Sequence, residues 1–73
     1  MGLAAPLDQQ MLDAAVQEFA LNGFRDTSMD AIAAAAKISK PMLYLYYGSK
    51  EDLFVACLRR ELGRFVEAVR GDI

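Results

Sequence analysis

No histidine and no tryptophan occur in this 73-residue chain, and cysteine occurs once. Without histidine, a single thiol cannot build a Cys/His metal site, and Cys57 has no partner for an internal disulfide. A reducing compartment fits that pattern. The same poverty leaves no nucleophile–base pair to argue from, so the chain is not expected to be an enzyme or to carry a cofactor. No apolar run approaches the roughly 20 residues that span a bilayer. The start, Met-Gly-Leu-Ala-Ala-Pro, has neither the basic segment nor the long apolar stretch of a secretory signal. The expected location is the cytoplasm, away from membranes.

An excess of positive charge is also lacking, with eight Lys and Arg against ten Asp and Glu and a net charge of −2. The sum alone argues against a nucleic-acid partner. The distribution argues otherwise. From Ala31 to Lys50 the chain holds Lys37, Lys40 and Lys50 and no acid. The carboxylates precede this stretch (Asp8, Asp13, Glu18, Asp26, Asp30) or follow it (Glu51, Asp52, Glu61, Glu67, Asp72). Screening over about 10 Å keeps distant acids from cancelling a local positive patch.

What the chain has in quantity is apolar side chain, 55% of its residues. Much of this is Ala and Leu with few β-branched residues, which favours an all-α fold. So short a chain makes one small domain, and one core of that size does not easily hide this much apolar surface.

Four helices are expected, at about 8–22, 28–36, 40–47 and 50–70. In the first, Leu7, Met11, Leu12, Ala15, Val16, Phe19 and Ala20 recur at helical spacing. Asn22-Gly23-Phe24 stops it, with Gly23 left-handed and Phe24 folded back on Phe19. Thr27 is the expected N-cap of the second helix, with Asp30 three residues on in a capping-box arrangement. Met29, Ile32, Ala33 and Ala36 make its inner stripe. Lys37-Ile38-Ser39 forms a turn in which Ile38 is buried and Ser39 caps the third helix, whose first turn tolerates Pro41. Gly48-Ser49 breaks the chain again, and Ser49 with Asp52 opens the fourth helix. Its stripe runs through Leu53, Phe54, Cys57, Leu58, Leu62, Phe65, Val66 and Val69. The part beyond Leu62 has no obvious partner.

Two short helices joined by a three-residue turn are the layout with which a duplex is crossed and its major groove entered. In the third helix Leu43 and Tyr47 form the inward pair, which leaves Lys40, Met42, Tyr44 and Tyr46 outward or at the edge. Tyrosine rings can pack on the sugar–phosphate backbone and donate to phosphate; equally, Tyr44 and Tyr46 fit half-buried packing positions. Lys40 can donate to guanine or reach a phosphate, and Met42 can rest on a thymine methyl. Lys50 at the start of the fourth helix, with Thr27 and Ser28 at the start of the second, are candidate phosphate contacts.

Thr27-Ser28-Met29, Ile32-Ala33, Ile38-Ser39, Leu43-Tyr44, Tyr46-Tyr47, Lys50 and Leu53, with Phe19 and Gly23-Phe24 upstream, resemble the TetR family of bacterial transcriptional regulators in order and spacing. The resemblance implies a three-helix, homeodomain-like helix-turn-helix head followed by a longer fourth helix. By position, it implies that Ser39, Lys40, Met42, Tyr44 and Tyr46 face DNA while Thr27, Ser28 and Lys50 hold phosphates. It further implies a palindromic double-stranded operator, repression relieved by a small-molecule effector, and homodimerisation. The effector and dimer regions belong to a C-terminal domain absent from this chain. The chain departs from the family pattern at Lys37, commonly glycine, at Asp30, where some members read bases, and at Tyr47, usually phenylalanine. The competing reading is a small helical protein-interaction module using the apolar stripe of the fourth helix.

Overall fold

The computed structural model describes residues 6–71, with the side chains of residues 6–65. Four helices follow one another: α1 (Leu7–Asn22), α2 (Met29–Ala36), α3 (Lys40–Tyr46) and α4 (Lys50–Gly71). Among the described residues there is no strand. The first helix packs most extensively on α2 and next on α4, while α3 rests mainly on α2.

The core lies where these helices meet. Met11, Ala14, Ala15 and Phe19 of α1 face Met29, Ile32, Ala33 and Ala36 of α2, with Leu43, Leu53 and Cys57 closing the other sides. Met11, Ile32, Leu43 and Leu53 are fully buried, each contributing about 1.5–3 kcal/mol through removal from water. Ala14 takes the buried place expected for Ala20, which is exposed, so the inner face of α1 is turned toward α2. Ile38 is half-buried rather than enclosed.

Local chemistry sets most helix ends. Gly23 has φ 82°, as a helix stop requires, but its ψ of 165° takes the chain out of the left-handed helical basin. Phe24 nevertheless folds back, its ring 5.7 Å from Phe19 and stacked on it. Phe54 of α4 meets both rings edge-on at 5.1 and 5.0 Å, tying α4 to the first turn of the chain path. At the end of α2, Lys37 adopts the left-handed conformation, φ 63° and ψ 41°. Its N–H donates to Ala34 (3.1 Å) and that of Ile38 to Ala33 (3.0 Å), which completes a Schellman motif without glycine.

The start of α2 corrects one expectation. Ser28, not Thr27, is the N-cap, its Oγ accepting from the Ala31 N–H at 3.0 Å. Asp30 consequently sits one position too early for a capping box, though still near the positive end of the helix. Ser39 caps α3 by accepting from Met42 N–H (3.2 Å), and Ser49 caps α4 by accepting from Asp52 N–H (3.1 Å), as expected.

The fourth helix is held to the first by Arg60. Its guanidinium donates to Asp13 at 2.7 Å and to Gln9 at 3.1 Å, and pairs with Glu61 at 3.2 Å. Burial disfavours the Arg60 charge, but the hydrogen bonds to Asp13 and Glu61 outweigh that and raise its pKa. Beyond this clamp Leu62 and Phe65 are exposed, as expected for an unpartnered stripe. The Val66 and Val69 side chains lie outside the described residues.

Candidate nucleic-acid interface

A seven-residue helix anchored by one fully buried leucine defines this surface. Leu43 inserts between α2 and the rest of the core, and Tyr47, half-buried just past the helix end, packs beside it. Burial pushes the Tyr47 phenol above its ordinary pKa, with Asp8 and Cys57 adding to the effect and Arg60 opposing it. No buried side-chain nitrogen or oxygen among the described residues lacks a hydrogen-bond partner.

The rest of α3 faces water. Tyr44 is 40% exposed and Tyr46 49%, and neither makes a hydrogen bond or ring contact among the described residues. Neither ring belongs to the core cluster or packs against it. Met42 is exposed, and so are Ser39 and Lys40 at the helix start. Leu45 is the most exposed large apolar side chain described, at 80%. Sequence reasoning passed over it, although its position two residues from Leu43 already turned it to the opposite side of the helix. Pro41, in the first turn of α3, is exposed on the same outer side.

Lys40 and Lys37 give this surface its positive charge. The Lys40 Nζ lies 3.2 Å from Asp30 Oδ1 across the α2–α3 corner. Both side chains are largely solvated, so this pair contributes at most about 1 kcal/mol and can be displaced by a stronger anion. Lys37 projects from the turn with no ion pair of its own among the described residues.

Two proposed phosphate contacts are placed differently from expectation. Thr27 is only 2% exposed. Its hydroxyl points back into the protein, its one proton shared between the carbonyls of Gly23 (2.7 Å) and Glu18 (3.0 Å). With its proton donated inward, the Thr27 hydroxyl has none left for a phosphate in this arrangement and acts as a pin between the end of α1 and the start of α2. Lys50 is half-committed in the same sense. Its ammonium donates to the carbonyls of Phe24 (2.7 Å) and Arg25 (3.4 Å) and sits 4.3 Å from the centre of the Phe24 ring. An ammonium has three protons, so these bonds leave one for an outside acceptor while fixing the lysine against the α1–α2 loop. Ser28 remains exposed, its oxygen accepting from the helix and its proton free to donate outward.

The sequence model for "Bacterial regulatory proteins, tetR family" matches residues 11–57, from the core of α1 to Cys57 of α4. The chain belongs to the tetR family. As a tetR-family chain it is the N-terminal DNA-binding head, and its four helices superpose on a solved TetR-like transcriptional regulator from Rhodococcus sp. RHA1. That likeness has a TM-score of 0.88 and 63% identity over 97% of this chain and 39% of the other. Among curated relatives, the fatty acid metabolism regulator protein of Bacillus subtilis is 34% identical over 93% of this chain and 35% of its own length. The HTH-type transcriptional activator FasR of Mycolicibacterium smegmatis is 41% identical over 84% of this chain and 28% of its own. The chain thus spans about a third of the length of these relatives. No described helix is long and apolar enough to cross a membrane.

Proposed function

We propose that this head binds double-stranded DNA by laying the outer face of α3 in the major groove, as the operator-reading end of a transcriptional regulator. The observation that carries the reading is the exposure of Met42, Tyr44, Leu45 and Tyr46 on a helix whose single anchor is Leu43. A short helix with four large uncovered side chains has little reason to keep them unless they meet a partner. The flanking Lys37 and Lys40, with no acid between residues 31 and 50, favour a polyanion.

Each residue then has a task. Ser39 and Lys40 meet base edges or phosphate where α3 enters the groove. Met42 contacts bases, while Tyr44 and Tyr46 pack on the backbone and donate to phosphates. Ser28 and the remaining proton of Lys50 serve the phosphates beside the α1–α2 loop. The operator is palindromic, matched by a homodimer that the longer chain forms through a C-terminal effector domain. The relatives' greater length and the uncovered Leu62 and Phe65 on α4 support that arrangement. Effector binding would move α4, which Arg60 couples to α1. Whether occupancy represses or activates depends on where the operator lies, and one relative is named an activator.

Fluorescence-anisotropy titration against random and selection-enriched palindromic duplexes tests the reading. Binding should fall steeply with salt, since each neutralised phosphate adds about 0.9 to the slope of log affinity against log salt. Binding that ignores salt, or survives Lys40→Ala combined with Tyr44→Ala unchanged, would remove it.

A further inference from the structure

The outermost ridge of α3 carries no hydrogen-bonding side chain. With Leu43 pointing at the core and about 100° of turn per residue, Pro41 and Leu45 each lie about 160° away, astride the line that points straight out. Met42 and Tyr44 stand at about 100°, and Lys40 and Tyr46 at about 60°, toward the flanks. The residues that penetrate deepest into a groove are therefore a proline and a leucine spaced i, i+4, the leucine 80% exposed. Neither can satisfy the donors and acceptors that guanine, cytosine and adenine present there. Pressed against those edges, they would strip water from polar atoms and return nothing. The thymine C5-methyl is the one apolar group on the major-groove edge of the four bases.

We infer that the Pro41–Leu45 ridge of α3 selects its site by contact with thymine methyl groups, so that the half-site carries thymine where the helix axis crosses the groove. This rests on the DNA-binding reading above and adds the base chemistry it selects. Lys40 stands about 60° from Leu43, on the flank of this ridge rather than on it. 5-Methylcytosine presents the same methyl, and the test separates the two sources.

The 73-residue chain is used to select duplexes from a random pool at low salt. The enriched duplex is then resynthesised with deoxyuridine replacing each thymine in turn, a change that removes only the methyl. Anisotropy titration should show one or two positions at which deoxyuridine weakens binding about fourfold, the effect of uncovering one methyl group. In Leu45→Ala the same replacement should have little further effect. Because Leu45 is solvated, that variant keeps the wild-type melting curve. A 5-methylcytosine–guanine pair at the sensitive position should bind more weakly than thymine–adenine. Indifference to every deoxyuridine replacement overturns the inference while leaving DNA binding intact. An undiminished deoxyuridine effect in Leu45→Ala overturns it too, and equal or tighter binding of the 5-methylcytosine pair overturns thymine as the source. Failure to bind any duplex in a salt-dependent way removes the underlying reading together with the inference.

Discussion

Replacing Lys37 by glycine should make the chain more stable and a poorer DNA binder at once. Lys37 is the one described non-glycine residue with positive φ, at 63° with ψ 41°. Left-handed backbone costs an ordinary L-residue about 1–2 kcal/mol. Glycine is relieved of that strain but loses about 0.5–1 kcal/mol more chain entropy on folding. The net gain is about 0.5–1 kcal/mol, since the exposed lysine side chain gives up no ion pair and the Schellman bonds are made by backbone. For a domain of this size that raises the melting temperature by about 2–8 °C. Lys37→Ala is the control, because it removes the charge yet keeps the Cβ and hence the strain. It should melt near the wild type, within about 0.5 kcal/mol. In anisotropy titrations both variants should bind DNA more weakly, with the salt slope reduced by about 1 if Lys37 neutralises one phosphate. Circular dichroism melts of the three proteins decide the stability argument. A glycine variant that melts no higher than the alanine variant would refute it.

Ile32→Ala or Leu43→Ala should cost about 2–5 kcal/mol. That is most of the stability a core this small supplies, so urea titration should find either variant largely unfolded at room temperature. Asp30→Asn should strengthen DNA binding severalfold by releasing Lys40 and removing a carboxylate from the α3 flank, and unchanged affinity would show the pair to be irrelevant to docking. Arg60→Ala should destabilise the chain by about 1–2 kcal/mol through loss of charged hydrogen bonds, read as a lower urea midpoint, while Asp13 returns to water. Burial raises the Cys57 pKa, Arg60 opposing and Glu61 adding to it. A thiol held neutral in the folded state contributes stability below its unfolded pKa of about 8.5, lost as pH rises from there through the raised folded value. Cys57→Ala should flatten the alkaline stability profile, and iodoacetamide should label the wild type only after urea is added.

The helices themselves were legible because their signals are local. Period-3.6 apolar spacing gave all four, and serine caps act over three residues, so Ser39 and Ser49 were assigned from neighbours in the chain. Where two adjacent residues could both cap, as at Thr27-Ser28, local chemistry did not choose between them. In the structure Ser28 Oγ accepts from the Ala31 N–H, while the Thr27 side chain is turned inward across the chain reversal, donating to Glu18 and Gly23. Spacing places Leu45 on the side of α3 opposite Leu43, but that no other helix covers it there is decided by tertiary packing.

From the sequence alone came the all-α class, the helix-turn-helix punctuation, the acid-free lysine stretch and the family pattern. All of these are written in spacings of a few residues, where backbone geometry leaves little freedom. Tertiary structure decided which polar groups remain available to a partner. Lys50 is bonded to carbonyls 25 and 26 residues away, Lys40 to an acid 10 residues back, and Arg60 to one 47 residues distant. No local spacing specifies such meetings, because they depend on which helix becomes whose neighbour. Packing thereby withdrew the Thr27 hydroxyl from the surface, shared out Lys50, and left Pro41 and Leu45 exposed beside Lys40, Tyr44 and Tyr46 on α3.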